Sequence, residues 1–215
     1  MTNDTTRQPD GEGHDAGDNG PSANYSPTDR AFLLDLARQT IKEVVINRKL
    51  PRPNPTDIPE KFQVDRACFV TLRKNGELRG CIGEIFPSRP LYETVIHTAA
   101  HAATRDTRFQ PAAPDELDKL NIEISILTVP QRLEFNSPEE LLDKLRPNVD
   151  GVVLKLGMNQ STFLPQVWEH LPDKRQFLSR LCEKAHLPLD AWTDPRLKIQ
   201  TYRVEAFEEP FARAL

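Results

Sequence analysis

The chain has 215 residues, 38% of them hydrophobic, and 19 prolines, enough for one sizeable core built from short elements and many turns. Its net charge of -4 is carried by residues 1–25, where Asp4, Asp10, Glu12, Asp15 and Asp18 face Arg7 alone; the balanced remainder lacks the basic excess that nucleic-acid binding draws on. Three cysteines without a CxxC pair, no apolar leader and no run near the ~20 apolar residues of a membrane helix predict a cytoplasmic protein with reduced thiols, partnered by neither membrane nor nucleic acid.

Residues 1–25 hold almost nothing apolar and predict a disordered acidic tail, which leaves 26–215 for the folded domain. Order is expected to start at Ser26-Pro27-Thr28-Asp29, a capping box with proline at the first helical position. Leu33, Leu36, Ala37, Ile41, Val44 and Val45 then follow at helical spacing, and Pro51, Pro53 and Pro55 make an extended connector. Residues 67–74 and 77–82 read as strands around Asn75-Gly76, a turn pair suited to positive φ. An Ala-rich helix is predicted over 88–104, and Ile122, Ile124 and Ile126 alternate with polar residues in a strand closed by Pro130.

A second capping signal, Ser137-Pro138-Glu139-Glu140, opens a short helix through Leu145. A further hairpin is predicted from 151–156 and 161–164 around Gly157-Met158-Asn159, then a helix over 175–185 and one final strand over 197–207. Hairpins with helices between them predict an α+β fold of mainly antiparallel sheet with flanking helices. Neither GxGxxG nor GxxxxGK[ST] occurs.

The most distinctive segment is Leu78-Arg79-Gly80-Cys81-Ile82-Gly83. Regular alternation would place Glu77, Arg79 and Cys81 on one face and send Leu78 and Ile82 to the core. A guanidinium beside a thiol favours the nucleophilic thiolate, so Cys81 is a candidate catalytic residue and Arg79 a candidate anion-binding one. Gly80 and Gly83 would allow close approach by a ligand or by another backbone. The competing reading is a bulge with a small buried thiol.

The run Phe69 to Gly83, FVTLRKNGELRGCIG, resembles the AMMECR1 family, as do RDTRFQP from Arg105, Glu116-Leu117, IEISILT from Ile122, GVVL from Gly151 and TFLPQVW from Thr162. The resemblance spans roughly 29–207 and points to the microbial protein-A members of the AmmeMemoRadiSam set. It implies a larger and a smaller lobe sharing one core, a functional cleft at the LRGCIG segment, and Memo-like and radical-SAM proteins as partners. It implies no particular reaction or cofactor; a small anionic or aromatic molecule is the expected ligand.

The match brings in Arg105, Asp106 and Arg108, read either as a helix-ending Arg–Asp lock or as grips on a carboxylate or phosphate. Glu123 is a candidate general base if its face lines the cleft. His97 and His101 share a helix face and with Cys81 would make a Zn or Fe ligand set, against the competing reading of two partly exposed helix histidines; no metal is assigned. Within TFLPQVW, Phe163, Leu164, Val167 and Trp168 read as core and Gln166 as a polar group for a cleft.

Overall fold

The computed structural model describes residues 25–210, so the expected acidic tail, apart from Tyr25, lies outside the described residues. Among the described residues, eight strands form two antiparallel sheets. The first, in the order β2-β1-β3-β8, joins Cys68–Lys74 (β1), Glu77–Gly83 (β2), Leu120–Leu127 (β3) and Val204–Glu208 (β8). The second, in the order β4-β7-β5-β6, joins Gln131–Leu133 (β4), Gly151–Leu156 (β5), Asn159–Phe163 (β6) and Lys198–Tyr202 (β7). The fold is α+β, as the spacing predicts.

Helix α1 (Pro27–Lys42) starts at the predicted capping box: Ser26 Oγ accepts from Asp29 N–H, and the Asp29 carboxylate accepts from Ser26 N–H. Helix α2 (Leu91–Thr104) starts three residues later than the Ala-rich pattern implies, because Pro90 caps it from an extended conformation. Both pack on one face of the first sheet, over Val70, Leu72, Ile122 and Ile124. Helices α3 (Pro138–Lys144) and α4 (Lys174–Lys184) cover one face of the second sheet, over Val152, Leu154 and Ile199.

Each sheet packs its own cluster of buried side chains against its helices. A smaller third cluster joins them: Ala67, Leu127, Val153 and Tyr202, with Phe69, Leu164 and Val204 against it. Alternation along the strands puts Phe69, Leu127 and Val153 on the faces that the helices leave uncovered. The uncovered faces of the two sheets therefore turn toward each other.

The predicted final strand is two strands. Lys198–Tyr202 pairs in the second sheet and Val204–Glu208 in the first, so the chain changes sheets at Arg203. Alternating apolar residues continue through that corner, which hides it from a pattern reading. Strand β4 has three residues, too few to show a period.

Candidate functional site

The LRGCIG segment forms β2, an edge strand, and it is not regular. Its pairing with β1 runs Thr71 to Cys81 and Leu72 to Gly80, then jumps to Arg73 with Leu78, leaving Arg79 without a partner across the ladder. This bulge shifts the side-chain phase by one residue. Leu78 is consequently 39% exposed on the same side as Cys81, not in the core, while Ile82 does pack against the core. The expected shared face of Arg79 and Cys81 does not form.

Arg79 is turned to the helix side and ion-paired. Its Nε and Nη2 donate to the two carboxylate oxygens of Glu116, at 3.2 and 2.9 Å. Lys74 Nζ adds a third bond to Glu116 at 2.6 Å, and Ala113 N–H a fourth at 3.0 Å. The side chains of Arg79 and Glu116 are 15% and 13% exposed. The Arg79 guanidinium, then Lys74, hold the Glu116 carboxyl well below the usual carboxylate range. Paired in this way, the Arg79 guanidinium ties β2 to the turn that carries Glu116.

The glycines are likewise filled by the protein. A Cβ on Gly80 would collide with the Ala102 carbonyl oxygen of α2, and one on Gly83 with the Phe69 ring and the Cys68 carbonyl. Neither opens a path for a ligand; Gly80 lets the backbone of α2 lie directly on the sheet.

Cys81 is different. It faces Thr71 across the ladder, and Thr71 Oγ1 donates to Cys81 Sγ at 3.3 Å. The thiol is half-buried on the uncovered face, away from α2. The backbone of Cys81 points off the edge of the sheet, where Asp106 Oδ2 accepts its N–H at 2.8 Å and Arg108 Nη2 donates to its carbonyl at 3.2 Å. Antiparallel positions whose N–H and C=O point outward have the closer side-chain contact, which suits the Thr71–Cys81 bond. Asp106 is buried and accepts from Arg108 Nε at 2.9 Å and Nη2 at 2.6 Å. Arg108, with the bond from Cys81 N–H in support, holds the Asp106 carboxyl well below its usual range. Asp106 and Arg108 therefore cap the sheet edge and position Cys81. Arg105 is exposed at the end of α2.

A residue from the other lobe lies within electrostatic reach of Cys81. Lys184, at the end of α4, places its ammonium 5.1 Å from the Phe163 ring centroid, donates to the Thr162 carbonyl at 2.9 Å, and interacts electrostatically with Cys81 and Arg108. Desolvation of the head group lowers its pKa, although the side chain as a whole is exposed. Thr71, Glu116 and Lys184 were not singled out by pattern as site residues. The Ala113-Pro114-x-Glu116 run carries a helix-start signal that points to Glu116; nothing in the sequence signals that Lys184 reaches across from another lobe.

Glu123 is on the uncovered face but pairs with Thr71 in register, so it stands two strands from Cys81, about 10 Å across the sheet. Its nearest partners are Arg73 at 3.9 Å and Ser125 Oγ at 3.4 Å. His97 and His101 lie on α2, which covers the face opposite the Cys81 thiol, so the three do not converge. Among the described residues no three His, Cys, Asp or Glu side chains group as metal ligands, and no helix is long and apolar enough to cross a membrane.

Fold and site together define a two-lobed α+β protein with a half-buried cysteine presented on an edge strand between the lobes. The family model described as AMMECR1 matches residues 34–207, and the chain belongs to that family. It is 40% identical to a protein of Methanothermobacter thermautotrophicus over 86% of this chain and 98% of that one. It is 38% identical to Protein MJ0810 of Methanocaldococcus jannaschii over 83% and 89%. The crystal structure of Uncharacterized Protein PH0010 from Pyrococcus horikoshii superposes with a TM-score of 0.78 at 37% identity, covering 86% of this chain and 93% of that one.

Proposed function

We propose that the protein holds a small anionic or aromatic molecule at the mouth between its lobes, with the Cys81 thiol as the contacting or nucleophilic group. The carrying observation is that Cys81 is half-buried and carries Thr71 as a hydrogen-bond donor, with the cations Lys184 and Arg108 in its electrostatic surroundings. Cys68 and Cys182 are buried, and burial pushes their thiols up to about 12 and about 11. Arg79, Gly80 and Gly83 serve this site as scaffold, and Asp106 and Arg108 as positioning groups. The reading covers an enzyme and an accessory subunit alike, with Memo-like or radical-SAM proteins as partners.

Charge-selective alkylation tests it. In the native protein, iodoacetate and iodoacetamide should modify Cys81 ahead of Cys68 and Cys182. Replacing Lys184 by Met should slow the anionic reagent more than the neutral one. A Cys81 that resists both reagents, or a rate ratio indifferent to Lys184, sinks the reading.

An adaptor role is favoured by a separate observation, the exposure of Leu78 and Phe86 on and just beyond β2. Copurification with a Memo-like or radical-SAM partner that is lost on changing both residues to Ser supports it. Copurification unaffected by the change, or none at all, removes it.

A further inference from the structure

The two edges of the first sheet are finished differently. At β2 the outward N–H and C=O of Cys81 are taken up by Asp106 and Arg108. The β8 edge has no such cover among the described residues. Glu205 and Phe207 pair with Ile126 and Ile124 of β3, Glu209 N–H donates to the Ile122 carbonyl, and Thr128 N–H donates to the Arg203 carbonyl. In this phase the N–H and C=O groups of Val204, Ala206 and Glu208 point away from β3, off the sheet. Ala206 and Glu208 are exposed, and no hydrogen bond from the described residues reaches the backbone of these three.

The same strand has a cleft on either side. A cleft of about 480 Å³ lies between α1 and β8, with Leu34, Phe207, Asp35 and Glu208 in its lining. A second, of about 200 Å³, is lined by Val204 and Ala206 of β8 with Pro165 and Glu169 of the other lobe. Asp35, Glu169 and Glu208 are exposed and have no cation partner among the described residues. Arg30 and Arg38, the cations of the larger cleft, are already paired with Glu205 and Glu209.

We infer that β8 receives an extended, basic segment of a partner protein as a fifth strand of the first sheet. The partner's backbone completes the hydrogen bonds of Val204, Ala206 and Glu208. Its side chains alternate between the two clefts, apolar groups against Leu34, Phe207 and Val204, lysine or arginine beside the unpaired carboxylates. Pairing of two copies through β8 is disfavoured, because it gathers Glu205, Glu208 and Glu209 of both. The inference uses neither Cys81 nor the Leu78 and Phe86 surface at the β2 edge.

The test uses the full-length protein, isotopically labelled for NMR, with a heptapeptide of alternating lysine and valine as probe. At saturating peptide, amide exchange at Ala206 and Glu208 should slow, while Glu205 and Phe207, already bonded to β3, should not change. The same peptide N-methylated at every interior amide should not bind, nor should one with glutamate in place of lysine. Glu208→Lys should weaken binding about tenfold. Ala206→Pro removes only an outward N–H, so it should remain folded and lose the peptide. Unchanged exchange at Ala206 and Glu208, or equal binding of the methylated or the glutamate peptide, overturns the inference. So does slow exchange of these amides in the free protein, which would mean that a second copy or a terminal segment of the chain already holds the edge.

Discussion

On the helix-covered side of β2, polar groups and glycines find their partners within the protein: Arg79 grips Glu116, and Gly80 receives the backbone of α2. On the uncovered side, two residues along the same strand, Cys81 meets a single hydroxyl and faces the other lobe. The first side is specified by packing and buried charge, and the second by presentation. One bulge at Arg79 makes both available from a single hexapeptide, because a regular strand would have put Arg79 and Cys81 on the same side. The contrast is testable: substitutions on the covered side should cost stability, and those on the uncovered side should cost reactivity.

The largest expected effect is Gly80→Ala. The new methyl group must displace either α2 or the edge strand, and overpacking of this kind costs about 3 kcal/mol. A lowered unfolding midpoint in urea at unchanged slope would confirm it. A midpoint within a few tenths of wild type would show that the close approach is dispensable. Glu116→Ala comes next. It strands Arg79 and Lys74 without their carboxylate, and with Arg79 mostly buried the loss should be about 2 kcal/mol. Glu116→Gln should recover part of it.

Asp106→Asn should cost about 1 to 2 kcal/mol, discounted for the exposed half of Arg108. Its pH dependence separates charge from shape. The Asp106 carboxyl titrates lower in the folded protein than in the unfolded chain. Its contribution is therefore complete above the ordinary carboxylate range near pH 4, and is lost as pH falls through the lower folded value. Denaturation curves of wild type and variant should differ most near neutrality and converge below that range. A gap that persists unchanged into acid would assign the effect to shape alone.

Much of this was legible in the chain. Capping boxes, Asn75-Gly76 and the alternation of Ile122, Ile124 and Ile126 locate elements that the structure contains, because those signals act within a few residues. The bulge was not legible: nothing local distinguishes a two-residue alternation from one that skips at Arg79, and the skip is supported by Glu116, 37 residues away. The Arg-Asp-x-Arg run was visible as a motif but ambiguous in role. Its meaning follows from the edge of β2, where Asp106 and Arg108 take up the N–H and C=O of Cys81. Lys184 was invisible for the same reason, since its relevance lies in tertiary placement across the two lobes.

The smallest expected effect on stability belongs to the residue most important for the proposal. Cys81→Ser keeps the volume nearly constant and replaces a weak acceptor opposite Thr71 with a better one. The edge capping by Asp106 and Arg108 uses only the backbone of residue 81, so it survives the change. Stability should stay within about 1 kcal/mol of wild type, while alkylation at neutral pH should fall to the slow background of the buried Cys68 and Cys182. A Cys81→Ser variant as destabilised as Gly80→Ala would mean that the thiol is a packing element like its neighbours. The two sides of β2 would then do the same work. A stable variant without fast alkylation leaves presentation of the thiol as the reason for its place on the strand.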